Sequence, residues 1–253
     1  MNDLIAKGSK TAKDGFRNEK DVIDRFNNWQ NDDFAMAWLQ AMDYNLSEIE
    51  FVFAYKISGS FKADVQVKVE IKLKQLSDVQ NLQLKLVSNP SGFNQIDKRW
   101  TDKYAELWEI PQNILELLKY FTGELPPFID NPKDKRRMFI NEFSLQQQEE
   151  LLDFFRKKQS LIVCDILKGR GQFAAEWLLV ILKIQDKEIK WALKSMNFCL
   201  NLFGNGEVRI TPQGSIKIAN IGMQRKGGDG GRKTAQMLQF KINPCLLFEQ
   251  ETQ

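Results

Sequence analysis

Asp64-Val-Gln-Val-Lys-Val-Glu-Ile-Lys-Leu73, followed one strand later by Gln83-Leu-Lys85, is the stretch on which the reading of this chain turns. Val65, Val67, Val69, Ile71 and Leu73 share one face, and Asp64, Gln66, Lys68, Glu70 and Lys72 the other, the period of a half-buried strand. After a polar break at Gln75–Asp78 the alternation resumes, with Leu82, Leu84 and Leu86 opposed to Gln83 and Lys85. An acid, an amide carbonyl and a lysine therefore emerge on the polar faces of two adjacent strands. Such a trio can hold a hard, oxygen-seeking cation such as Mg2+ beside a phosphate, with the lysine serving the attacking water or the developing oxyanion. The same alternation also describes an ordinary solvated face of an antiparallel sheet. A simple hairpin with its turn near Leu76 sets Asp64 opposite about Asn89 instead of Gln83, so convergence of the three calls for a bend, a bulge or a longer turn.

Composition narrows the chemistry. The 253 residues are 43% hydrophobic and 27% charged, which suits one large domain or two small ones with a real core. No apolar run approaches the length of a membrane span and Met1–Lys13 is polar and basic, so a soluble cytoplasmic protein is expected. Cys164, Cys199 and Cys245 are far apart and predict neither a zinc site nor a disulfide framework; reduced, small core residues are expected instead. The chain has no histidine, which excludes Ser-His and Cys-His pairs, histidine bases and every histidine-ligated metal. Hydrolysis here would rest on carboxylates, lysines and a metal bound through oxygen.

The net charge of +3 is mild, so clustering matters more than the total. Basic residues gather at Lys7, Lys10, Lys13 and Arg17, at Lys133–Arg137, and around the glycine cluster Gly227–Gly231, flanked by Gln224, Arg225, Lys226, Arg232 and Lys233. Any one cluster reads as solvated surface; three together favour a polyanion. The glycines match neither the dinucleotide fingerprint nor a P-loop. They can bring backbone amides close to phosphates or base edges, or form a surface turn.

The wider pattern is mixed α/β. Val22, Ile23, Phe26 and Trp29, then Phe34, Trp38, Leu39 and Met42, recur at helical spacing with their aromatic residues in the core. A helical region from about Lys103 is interrupted at Pro111 and closed by Gly123, and Ser144 with Gln147 forms a capping box before Leu151, Leu152 and Phe155. Strands are predicted at Leu161–Ile166, Ala174–Ile184, Gly206–Thr211, Ile216–Met223 and Gln239–Ile242. The Pro- and charge-rich stretch from Leu125 to Arg137 is expected to divide residues 1–124, with the N-terminal helices and a catalytic sheet, from residues 125–253, a second α/β half to which the resemblance described next gives DNA recognition, the two packed as one compact unit.

Gln83-Leu-Lys-Leu-Val-Ser-Asn-Pro-Ser-Gly-Phe-Asn-Gln-Ile-Asp-Lys98, with Asp64 upstream, closely resembles the GCGC-cutting HinP-type type II restriction endonucleases, relatives of MspI in the PD-(D/E)XK nuclease superfamily. Gly8–Phe16, Phe121–Pro127, Lys133–Met138, Gly169-Arg-Gly171 with Phe173–Trp177, and Gln224–Asp229 look like the same family, so the resemblance spans nearly the whole chain. It implies a PD-(D/E)XK restriction-endonuclease-like core, a central mixed β-sheet flanked by helices, with Asp64, Gln83 and Lys85 as catalytic residues. Asp64 and Gln83 are then the ligands of Mg2+, and Glu19 a further contact to the metal or its water. Gln83 stands where most of the superfamily has an acid, which removes one negative charge from the metal site.

The resemblance also implies that Phe93 wedges between base pairs. Asn94, Gln95 and Lys98, with Gln224, Arg225 and Lys226, would read base edges and phosphates. Lys10, Lys13 and Arg17 would lie along the DNA backbone and add salt-dependent affinity. The partners implied are double-stranded DNA and, in the bacterial host, a cognate DNA methyltransferase, for an enzyme that is a monomer or weak dimer cutting at GCGC, with CCGG second. Two other readings stay open: a nuclease of the same superfamily acting on DNA structure, and a non-catalytic DNA-binding protein.

Overall fold

A computed structural model describes residues 19–57, 66–73, 76–228 and 231–251. In chain order its elements are α1 (residues 19–27), α2 (Asp33–Ala41), β1 (Ile49–Lys56), β2 (Gln66–Leu73), β3 (Ser77–Val87), β4 (Asn94–Arg99), α3 (Thr101–Trp108) and α4 (Gln112–Thr122). They continue with α5 (Leu145–Lys157), α6 (Gln159–Leu167), β5 (Trp177–Leu182), β6 (Lys190–Ser195), α7 (Met196–Gly204), β7 (Val208–Ile210), β8 (Ile216–Ile218), β9 (Ile221–Arg225) and β10 (Leu238–Ile242). Contacts divide the chain into two units. One takes Lys168–Cys199 with the described residues before Gln95 and after Ile242; the other takes Gln95–Leu167 and Leu200–Ile242.

The first unit is built on a five-stranded mixed sheet in the order β1-β2-β3-β5-β6. Its pairings are antiparallel except β3 with β5, which run parallel. The alternation read in β2 and β3 is what fixes the core. Val69 and Ile71 of β2, Leu82 of β3, Leu179 of β5 and Leu193 of β6 face Val22, Phe26, Trp38 and Leu39 of α1 and α2 in one buried cluster. α2 begins where Asp32 accepts a hydrogen bond from Ala35 N at 3.0 Å, the N-cap geometry that short acidic side chains favour. Phe26, Trp38 and Trp29 are buried, as their helical spacing predicts.

The second unit carries the other five-stranded sheet, in the order β4-β10-β9-β8-β7, with α3, α4, α5 and α6. α4 ends at Gly123, whose φ is +82°, and a Cβ there would lie 2.4 Å from Arg136 O, so both backbone conformation and space require glycine. α5 starts with the predicted capping box: Ser144 Oγ accepts from Gln147 N, and Gln147 Oε1 accepts from Ser144 N. Behind β4 lies a buried polar network. Arg99 pairs with Asp97 at 3.2 Å and Asp165 at 2.6 Å, Trp108 Nε1 donates to Asp165, and Tyr104 donates its hydroxyl to Asp97.

Several expectations are corrected. Leu161–Ile166 is not a strand but most of α6; Ile162, Val163, Ile166 and Leu167 form its buried face, while Leu161 and Cys164 are apolar on the exposed side, which hides the helical period. Cys164 sits on the exposed side of that helix and is not a core residue, while Cys199 and Cys245 are buried, and burial pushes the Cys199 thiol up to about 12. The single strand expected over Ile216–Met223 is two, β8 and β9, turned back on one another. The hairpin between β2 and β3 pairs Lys72 with Ser77 and runs in constant register to Gln66 opposite Gln83. Gln83 therefore stands beside the start of β2 with no bulge in the described ladder.

Candidate active site

Asn81, Gln83 and Lys85 alternate along β3 and so share one face, the one opposite the α1 and α2 core that Leu82 enters. This is not a solvated face. Gln83 is fully buried and Lys85 and Asn81 are 8% exposed. The reason is lateral. β3 is an inner strand, and on its parallel side Gln83 aligns with Leu178 and Lys85 with Val180, both fully buried and on β5, while Val180 in turn faces Ala192 of β6. The last turn of the chain, Pro244–Glu251, packs on β3, β5 and β6 as well. An amide and an ammonium are thus largely kept from solvent, and their electrostatic reach exceeds that in water.

Asp64, like Lys10, Lys13 and Arg17, lies outside the described residues; Gln66, two positions after Asp64, pairs with Gln83. Glu19, on α1, is 4% exposed and its carboxylate meets Lys56 Nζ at 2.8 Å. It is not an exposed helix-surface carboxylate. Lys56 aligns with Val67 of β2, one residue from Gln66. Among the described residues no group of three His, Cys, Asp or Glu side chains is arranged to hold a metal ion.

Asn89, Pro90, Ser91 and Gly92 form the turn between β3 and β4, closed by Gly92 N to Asn89 O at 2.9 Å and by Ser91 N to Asn89 Oδ1 at 3.0 Å. Phe93 follows it and stands 56% exposed, a large ring presented to solvent and not tucked into the core. Asn94 donates weakly to Gly92 O at 3.5 Å, Gln95 and Lys98 are half-buried on β4, and between them Ile96 and Asp97 are buried.

Two of the basic clusters read from the sequence meet in the second unit. Arg225, at the end of β9, donates from Nε to Thr122 O at 2.7 Å, and Gln236 donates to Gly123 O. Arg136 and Arg137 stand beside the same helix end: burial lowers the Arg225 pKa, and the neighbouring Arg136 charge lowers it further. Arg137 is likewise lowered, first by burial and then by Arg225 and Arg136, although Asp134 opposes the shift. Asp134 neutralises part of the block, holding Arg136 Nε at 2.9 Å. Gln224 pairs with Gln239 across β9 and β10, and Gly227 and Gly228 beyond it have φ of +63° with open space where a Cβ would be.

Sequence reasoning missed Asn81, Glu176, Lys56 and Lys241. Asn81 breaks no pattern, and Glu176 stands next to Trp177 in a quoted match without a role of its own. Lys56 lies on a strand, β1, that the sequence reading did not mark at all. Lys241, on β10, has its pKa lowered by burial, a position that the short alternating run at Gln239–Ile242 does carry.

A family model described as R.HinP1I restriction endonuclease matches residues 42–248. The chain belongs to that family. It is a type II restriction endonuclease, a site-specific deoxyribonuclease. Among solved structures, the crystal structure of restriction endonuclease MspI in complex with its cognate DNA is similar in fold, with a TM-score of 0.61 over 88% of this chain and 87% of that chain at 15% identity. The likeness is one of fold: the mixed α+β architecture, with its sheets and flanking helices, is the PD-(D/E)XK fold. No curated protein matches the sequence. The family match includes Gln83, Lys85, Phe93 and Arg225 and leaves Glu19 and the N-terminal lysines outside it.

Proposed function

We propose that this restriction endonuclease cuts duplex DNA at GCGC, with CCGG as the second candidate, in a Mg2+-dependent reaction centred on Asp64, Gln83 and Lys85. The observation that carries the reading is the buried polar row on β3, in which a neutral amide and a lysine are kept from solvent on an inner strand of the sheet. Polar and charged groups are rarely buried side by side on an inner strand without being paired or put to use, which supports this row as the site. The donor set fits a hard divalent cation, since the row offers an amide oxygen and the chain has no histidine to offer nitrogen. Asp64 and Gln83 would hold Mg2+, with Glu19 acting through its water; when bound, the ion polarises the scissile phosphate and acidifies a water.

Lys85 orients that water, and its ammonium balances the charge that grows on the phosphate oxygens as the phosphorus becomes five-coordinate. Gln83 contributes an oxygen without a charge, so the DNA phosphate supplies more of the negative potential that draws the cation in. On the DNA side, Phe93 would enter the base stack and bend the duplex, a role its exposure supports. Asn94, Gln95 and Lys98 follow on β4, and Gln224, Arg225 and Lys226 stand on β9 and after it, as candidates for guanine O6 and N7 and for phosphates. Lys10, Lys13 and Arg17 would add backbone contacts. The bacterial host needs a methyltransferase that protects the same site. The enzyme would act as a monomer or a weak dimer.

The test is a panel of duplexes carrying one GCGC, one CCGG, a scrambled tetranucleotide or a methylated GCGC, incubated with Mg2+, with the ends sequenced. Cutting confined to unmethylated GCGC is the expected result. Cutting only at CCGG transfers the specificity to that site, and indiscriminate cutting of all four overturns the proposed recognition.

A further inference from the structure

Lys168–Ala175 precedes β5 and carries the Gly169-Arg-Gly171 motif, to which neither the catalytic row nor the recognition residues give a role. We propose that this segment is a phosphate-binding strap, mounted on the catalytic strand, in which Arg170 takes a DNA backbone phosphate close to the one that is cut. This rests on the cleavage reading above.

The strap is closed on itself: Ala175 N donates to Lys168 O at 2.7 Å and Ala174 N to Gly171 O at 3.0 Å. It is also fixed to β3. Asn81 Nδ2 donates to Gln172 O at 3.1 Å and to Ala174 O at 3.3 Å, two carbonyls that together set the orientation of the amide. Glu176 completes the joint, since its carboxylate accepts from Asn81 N at 2.9 Å while its own N–H donates to Asn81 O at 2.9 Å. Met196 N donates to Glu176 O at 2.7 Å and ties the same joint to the end of β6. Charge-assisted bonds of this kind are the stronger class, and here they hold a loop of irregular backbone in one conformation.

Position gives the strap its meaning. Asn81 shares its face with Gln83 and Lys85, and two strand residues, about 7 Å, separate its Cα from that of Gln83. That span corresponds to about two nucleotide steps, at 3.4 Å of rise per step along one strand of DNA, within reach of a phosphate close to the one that is cut. At the outer end, Gly169 has φ of +81° and Gly171 φ of +67°, a conformation that L side chains rarely adopt, and nothing lies within 4 Å of where a Gly171 Cβ would be. The backbone at Gly171, beside exposed Arg170, is therefore open to a close approach, and Arg170 and Lys168 bring two cations to it. Arg170 is a binding residue. Asn81 and Glu176 are positioning residues that act through the strap.

The experiment measures binding of cognate duplex to the full chain across a salt series, in Ca2+ to hold back cleavage, for wild type, Arg170→Gln, Glu176→Ala, Glu176→Gln and the double variant Arg170→Gln/Glu176→Ala. The strap predicts that Arg170→Gln makes the slope of log affinity against log salt shallower by about 0.9, one phosphate contact. Glu176→Ala moves the slope the same way, Glu176→Gln restores most of it because its amide oxygen still accepts from Asn81 N, and the double variant is no worse than Arg170→Gln alone. An unchanged slope in Arg170→Gln, with wild type binding and cutting normally, overturns the strap and leaves the cleavage reading intact. Additive losses in the double variant would reduce Glu176 to a folding role and overturn its part in the strap. Failure of wild type to bind duplex DNA overturns both readings.

Discussion

Asp134 shows how a single side chain sets the charge available to DNA. Hydrogen bonding from Arg136 holds its carboxyl down to about 2 against the opposing effect of burial, helped by the charges of Arg136 and Arg137. A carboxyl held below its ordinary value stabilises the fold at pH above that value, and the contribution fades as pH falls toward 2. Arg136 is 72% exposed, so solvent screens much of the pairing and it is worth about 1 kcal/mol. Urea unfolding of wild type and Asp134→Asn at pH 6 and pH 2.5 checks this: wild type should lose about 1 kcal/mol more than the variant on acidification, and parallel losses would refute it. Cognate affinity of Asp134→Asn should rise at low salt, since Arg136 and Arg137 are released from an internal anion. Lys85, Gln83 and Arg225 were legible as residues because each departs from its neighbours in chemistry. Asn81 and Glu176 were not, because their importance lies in bonds between segments about a hundred positions apart, which no local pattern encodes.

At the scale of elements, the strict alternation of β2 and β3 and the capping box of α5 were readable because each is a local rule that packing respects. α6 was not, since apolar Leu161 and Cys164 on its exposed side mask the helical period, and Asp165 within it reads as an oddity until Arg99 is seen against it. The hairpin register was missed by a few residues because the turn between Lys72 and Ser77 lies earlier than a turn centred on Leu76, and that offset decides what stands beside Gln83. The Asn89–Gly92 turn carries the next prediction. It is closed by its own backbone and by Asn89, and Phe93 beyond it contributes little buried area. Phe93→Ala should therefore change unfolding free energy by no more than about 0.5 kcal/mol. Its DNA bending, read by energy transfer between end-labelled dyes, should fall toward that of free duplex. A variant that is destabilised by several kcal/mol, or one that bends DNA as wild type does, would remove Phe93 from the wedge role.

Across the whole molecule, a chain of mild net charge forms one mixed sheet with a single parallel pairing and a second, mostly antiparallel sheet. The buried polar row of Asn81, Gln83 and Lys85 sits on an inner strand of one sheet, and the arginines of two basic clusters gather at the end of α4. No helix among the described residues is long and apolar enough to cross a membrane. Fold class and family were legible because the quoted segments run nearly the length of the chain, whereas the interleaving of the two units was not, because it depends on which distant strands pair. The central claim is that Lys85, with Gln83, forms the centre at which DNA is cut. Single-turnover cleavage of a GCGC duplex by wild type and Lys85→Ala, at enzyme concentrations where both bind it fully, tests that claim most directly. The account predicts that Lys85→Ala binds within a few-fold of wild type and cuts slower by about 10²–10³-fold; cleavage by Lys85→Ala at the wild-type rate would contradict it.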